Sequence, residues 1–142
     1  MVPQLRCPTK GFNVSTPFGA KGERWKSFHT GVDFPCPLGT PVMSAWVGII
    51  SKAHNAGDGF GFYVRLEHWW RGVGFRTYYA HLSDCSVKPG QEVDIGKPIG
   101  LSGDSGNVTG PHLHFGVKVY DLATEEWKWI EPKFFTEEPK NE

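Results

Sequence analysis

HLHFGVKVY, residues 112–120, is the stretch that decides the fold. Leu113, Phe115, Val117 and Val119 alternate with His112, His114, Gly116, Lys118 and Tyr120. An apolar residue at every second position marks a strand with one buried face. The other face carries both histidines, their Cα atoms about two residue rises, roughly 6.6 Å, apart. Working outward, residues 61–70 place Phe62, Val64, Leu66, His68 and Trp70 on one face and Tyr63, Arg65, Glu67 and Trp69 on the other. Both faces are partly apolar, as in an inner strand of a layered sheet. Further strands are predicted over Val42 to Ala53, Gly74 to Leu82 and Glu92 to Leu101, with turn-rich loops at 35–41 and 102–111.

The composition agrees with many short strands. Gly 18 and Pro 11 make up about a fifth of the 142 residues, which disfavours a helical bundle. A domain of this length buries roughly 70% of its unfolded surface and needs no disulfide scaffold. The expected fold is mostly β, a single domain over 1–142 built on antiparallel sheets, with long loops around a groove and at most short helices. Residues 1–14 are expected to lead into the first strand and 136–142 to form an acidic tail.

Lys+Arg 15 against Asp+Glu 15 gives no bulk electrostatic case for nucleic acid or an anionic membrane. No apolar run near 18 residues exists, so membrane insertion is not expected. The opening MVPQLRCPTK lacks a basic region followed by an apolar run, and no export signal is expected in it. Cys7, Cys36 and Cys85 cannot all pair within one chain and lack C-x-x-C spacing, so they are read as bystanders. A monomer is expected.

Four of the six histidines sit in compact settings: His29 with Asp33 in SFHTGVDF, His81 in YYAHLS, and His112 with His114 in GPHLHFGV. Gly31 and the nearby Pro35 disfavour a helix through the H-x-x-x-D, so an extended or turned segment is expected there. A hydrolytic zinc site uses three imidazole or carboxylate ligands and keeps a fourth position open. H-x-x-x-D alone is a weak signal; joined to H-x-H on a strand, a further histidine closing an aromatic strand and glycine-rich loops, it becomes a strong one. Glycine-rich loops also suit close approach of backbone to a substrate. His68, continuing an apolar face, reads as a buried, hydrogen-bonded histidine, and His54 as a solvated residue of a polar turn. The six tryptophans, Trp25, Trp46, Trp69, Trp70, Trp127 and Trp129, read mainly as core, with Trp69 the exposed exception that could stack on sugar.

The run from STPFG (15–19) through FHTGVDFPCPLGTPV (28–42) and TYYAHLSDC to GPHLHF (77–115), ending at WIEPKFF (129–135), resembles the lysostaphin-like, LytM-type zinc endopeptidases that cut peptidoglycan peptides. The resemblance covers about residues 12–135. It implies one zinc ion per chain held by His29, Asp33 and His114, with His81 and His112 as active-site histidines that do not bind the metal. It also implies a bacterial peptidoglycan peptide as substrate and action on the cell wall, extracellular or periplasmic. A phage or prophage lysis enzyme and a trimmed secreted hydrolase both fit. Relatives cut glycine-glycine bridges or D-alanine to diamino acid cross-links, and some have become inactive regulators of other wall hydrolases. Two departures stand out: Gly116 occupies a position where many relatives have Glu, and residues 20–28 contain no tyrosine, leaving Glu23, Arg24 and Trp25 without an assigned role. VKPGQEVDIGKPIG (87–100) resembles the strand-turn-strand of biotinyl and lipoyl carriers, but no hairpin tip presents a modifiable lysine.

Overall fold

The structure is a computed structural model that describes residues 2–11, 13–21, 29–57, 59–106 and 110–135. The acidic tail at 136–142, together with Glu23, Arg24 and Trp25, lies outside them. Among the described residues all regular structure is strand: β1 (Gly31–Pro35), β2 (Pro41–Met43), β3 (Gly48–Asn55), β4 (Phe62–Trp70), β5 (Val73–Ala80), β6 (Leu82–Cys85), β7 (Glu92–Val93), β8 (Pro98–Ser102), β9 (His112–Asp121) and β10 (Glu126–Ile130). The larger sheet runs β1-β9-β5-β4-β3-β7, with β10 also pairing β9, and the smaller runs β2-β8-β6. Every strand pairing is antiparallel, and the mostly β expectation stands.

The alternation in residues 112–120 works as expected. Leu113, Phe115 and Val117 of β9 enter a core with Phe75 and Tyr79 of β5, Val64 and Leu66 of β4, and Val32 and Phe34 of β1. The smaller sheet covers this layer with Val42, Leu82 and Ile99. Leu5 is fully buried in the same core and bridges to Phe134, so residues 2–11 help close the core as well as lead toward β1.

Three predicted strands are each broken in two. Between β2 and β3 the main chain turns away from the ladder, and the Ala45 amide donates to the Tyr79 hydroxyl at 2.9 Å. Between β7 and β8 a turn closes with the Lys97 amide on the Asp94 carbonyl, and Gly96 supplies the positive φ of 80°. Between β5 and β6 the break is His81, at φ 65°, a left-handed backbone uncommon for a residue with a side chain. Each break passes the chain from one sheet to the other. β10 was not among the predicted strands, although Trp127 and Trp129 alternate with Lys128.

His68 is buried as read: its ring nitrogens lie 2.8 Å from the Val47 carbonyl and 2.8 Å from the Thr77 hydroxyl. His54 is exposed but belongs to β3, where its ring meets Tyr63 edge-on, so the polar-turn reading is corrected. None of the five described tryptophans is fully buried. Trp46 and Trp70 flank the main core, Trp129 packs on a second cluster and Trp69 is 74% exposed. The indole is too large to be enclosed completely by so small a core.

Candidate metal centre

The strand register assembles the site. β1 lies antiparallel to β9 with Asp33 opposite His114 and Pro35 opposite His112, while Ala80 of β5 flanks His114 on the other side. Gly31, opposite Gly116, leaves room for the His114 ring: a Cβ there would stand 2.9 Å from His114 Nε2. His29 enters from the segment preceding β1, the His29 and Gly19 backbones being joined by the Gly19 amide on the His29 carbonyl at 2.8 Å.

Ligand atoms of His29, Asp33 and His114, all buried, lie within 4.8 Å of one another. Asp33 Oδ1 is 3.0 Å from His114 Nδ1 and 3.3 Å from His29 Nε2. A tetrahedral site with bonds of about 2.0–2.2 Å has ligand-to-ligand edges of about 3.3–3.6 Å, close to these spacings. His29 Nδ1 donates to the Pro17 carbonyl at 3.0 Å, so in the neutral ring Nε2 turns a lone pair toward the carboxylate. Two acceptors facing each other in a buried site call for a proton or a cation between them. The donor set therefore fits zinc.

The second pair of histidines lies alongside. His81 and His112 have ring centroids 4.9 Å apart, and His112 Nε2 is 3.7 Å from Asp33 Oδ1. Each is held by a main-chain acceptor: His81 Nδ1 donates to the Ser105 carbonyl at 2.8 Å, and His112 Nδ1 to the Gly110 carbonyl at 2.9 Å. Carbonyl partners on Nδ1 fix one tautomer in His29, His81 and His112 and leave Nε2 as the basic atom.

Ser105 anchors this arrangement, its hydroxyl donating to the Leu82 carbonyl at 2.8 Å and accepting from the Phe62 amide at 3.1 Å. Gly61 (φ 64°) and Gly106 (φ 85°) allow the two loops to meet: a Cβ on Gly106 would fall 2.6 Å from the Gly59 carbonyl oxygen, and one on Gly61 2.5 Å from the Ser105 carbonyl carbon. At these positions glycine serves backbone-on-backbone packing between the two loops. Gly110 remains open, with nothing within 4 Å of a built Cβ.

Burial pushes His81 down to about 4, helped by repulsion from His112 and His114 and opposed by the Ser105 carbonyl. Burial likewise lowers His114. For Asp33 burial acts upward, but the adjoining His114 and His29 rings outweigh it and hold its carboxyl well below the usual range. At neutral pH Asp33 is therefore a carboxylate, with His81 and His114 neutral beside it.

Beside His29, Asp33 and His114 lies a group of rings that the sequence reading did not assign to the site: Phe60, Tyr63, Tyr78 and Trp129. Phe60 is 5.4 Å from the His114 ring and Trp129 is 4.9 Å from Tyr78. Trp129 leans over Gly116, where a Cβ would meet its Cζ3 at 2.7 Å. The indole thus occupies the space that a side chain at position 116 would enter. No local signal in the sequence marks this contact, because Gly116 and Trp129 meet only through the register of β9 with β10.

A buried two-histidine, one-carboxylate cluster flanked by a histidine pair defines a metallopeptidase class of site. Residues 27–126 match Peptidase family M23, and the chain belongs to that family. It is 46% identical over 87 residues, 61% of this chain and 19% of the relative, to the peptidoglycan DD-endopeptidase ShyA of Vibrio cholerae. The catalytic domain of the antimicrobial peptidase lysostaphin from Staphylococcus simulans superposes with TM-score 0.75 at 34% identity, covering 85% of this chain and 89% of that one. A zinc-containing peptidase from Vibrio cholerae gives TM-score 0.71 at 34% identity, covering 82% of this chain and 37% of its own. The chain spans about a fifth of the length of the curated relatives it matches.

Proposed function

We propose that this chain is a zinc metallo-endopeptidase that hydrolyses peptide bonds in bacterial peptidoglycan, at stem peptides or their cross-bridges. His29, Asp33 and His114 hold the ion, one per chain. When bound, zinc supplies Lewis acidity that polarises a scissile carbonyl and makes water acidic enough to attack near neutral pH. The observation that carries this reading is the common tautomer of His29, His81 and His112, which leaves Nε2 as the basic atom of each ring, with two of these atoms within 3.7 Å of one carboxylate oxygen.

The remaining chemistry falls to the chain's own groups. Asp33 supplies the negative charge that balances the cation, and its burial keeps that charge from being screened. His81, neutral at pH 7 and fixed at Nδ1, can accept a proton only at Nε2 and return it to a departing amine. His112, on the same strand face as His114, lies one side-chain width from the ligands and has Nε2 free, so it can donate to charge developing on the scissile oxygen once that nitrogen has taken a proton. Digestion of purified sacculi by the zinc-loaded protein, with mass analysis of the fragments, tests the proposal. New amino termini within wall peptides are expected. Their absence from several wall chemotypes, with zinc bound, would support a non-catalytic regulator instead.

A further inference from the structure

The histidine-bearing face of the larger sheet forms rows that follow from strand register, buried at His114 and half-buried at Lys118. Asp33, His114, Ala80 and Tyr63 make the first, and Gly31, Gly116, Tyr78 and Arg65 the second. Trp129, Lys118, Arg76 and Glu67 make the third. The second and third rows hold three cations and one carboxylate. Glu67 is already shared, with Arg76 Nε 3.0 Å from Oε1 and Arg65 Nε 3.2 Å from Oε2. Lys118 makes no ion pair among the described residues; its ammonium lies 4.6 Å from the Trp129 ring centroid and 5.8 Å from that of Tyr78. Burial, with repulsion from Arg76 and Arg65, destabilises that charge. A cation lodged between two rings and beside two guanidinium groups gains more from an added anion than an exposed lysine does, because the surrounding rings limit screening by water.

We infer that Lys118, backed by Arg76 and Arg65, is a carboxylate-binding subsite for the substrate peptide, in line with the metal ligands along β9. This rests on the peptidoglycan reading and deepens it. His114 and Lys118 share a face four residues apart, about 13 Å, which an extended peptide spans in about four residues. A glycine bridge carries no charge at that distance. A stem peptide bearing free carboxylates does, so the subsite selects stem-peptide cross-links over neutral glycine bridges.

The test uses one synthetic cross-linked stem peptide in two forms, its carboxylates free or converted to carboxamides. Both are offered to zinc-loaded wild-type protein, Lys118→Gln and Lys118→Arg, and kcat/KM is measured alongside binding by calorimetry. Wild type is expected to favour the free-acid form by at least ~10-fold, mainly through KM, a difference of ~1.4 kcal/mol. Lys118→Gln should bring the ratio near one and Lys118→Arg should keep most of it. A ratio unchanged in Lys118→Gln overturns the subsite, and cleavage of both forms with no preference in wild type does the same while leaving the hydrolase reading intact. Lys118-dependent binding of the free acid without any cleavage supports the subsite and sinks the hydrolase reading. Absence of both binding and cleavage defeats both. A variant that is merely misfolded would also lose the amidated peptide, which Lys118→Gln should still process.

Discussion

Gly116→Ala probes the packing beside His114. The new Cβ would fall 2.7 Å from Trp129 Cζ3 and 3.3 Å from Cε3, with the Thr30 carbonyl oxygen at 3.5 Å on its other side. The indole must swing away, which weakens its contacts with Tyr78 at 4.9 Å and with Lys118 at 4.6 Å. Such contacts contribute about 0.5–1.5 kcal/mol for the ring pair and about 0.5–1 kcal/mol for the cation, within the ~1–3 kcal/mol usual for overpacking. Alanine in place of glycine within a strand offsets this by about 0.5–1 kcal/mol. The net expectation is a loss of up to about 2 kcal/mol in wild type. In a Trp129→Ala background the obstruction is gone and the sign reverses, to a gain of about 0.5–1 kcal/mol. Urea denaturation of the four proteins at saturating zinc closes the cycle, with an expected coupling of about 1–2.5 kcal/mol. An equal effect of Gly116→Ala in both backgrounds would refute the reasoning.

Elemental analysis should give about one zinc per chain, and His114→Ala should lose zinc and turnover together, whereas His81→Ala and His112→Ala should keep zinc and lose turnover by roughly 10²-fold or more. Complete zinc loss in His112→Ala, or full activity in both His81→Ala and His112→Ala, would contradict the roles. Burial pushes His68 from 6.5 down to about 4, so between those values the unfolded chain binds more protons than the folded one. The stability contributed by neutral His68 is full above about pH 6.5 and is lost as pH falls toward 4, with a ceiling on the order of 3 kcal/mol. His68→Gln should flatten this slope relative to wild type, and parallel slopes would count against it. The triple Cys→Ser variant should keep its zinc, since all three thiols are free and none joins the ligand cluster, with any stability loss traced to buried Cys36. Metal loss in that variant would show that the ligands are wrongly assigned.

The sequence was most legible where a local period and a chemical pattern coincided. In β9 the alternation announced both the buried face of Leu113, Phe115 and Val117 and the shared face of His112 and His114. The meeting of His29, Asp33 and His114, together with the position of His81, was legible through family resemblance, because no local rule places residue 33 opposite residue 114. The strand breaks were harder to see. Ser44 to Val47 and His81 leave their strands because their main-chain groups find partners elsewhere, such as Tyr79 for Ala45 and the Phe60 carbonyl for the His81 amide. The Trp129 and Gly116 contact was hidden for the same reason: each residue is unremarkable until register sets the two strands side by side.

The pairing of β1 with β9 also sets the order of events when the chain folds. Asp33 and His114 are 81 residues apart in sequence, so a long loop must close before they face each other. Contacts of that span form late and slowly, since a long loop must close before any interaction compensates for it. His29 and Asp33 can hold only a two-armed, weak grip on a cation while β9 is unpaired. On the proposed ligand set a metal would arrive as a latch on a sheet already zipped: added zinc should leave the folding rate nearly unchanged and should slow unfolding instead.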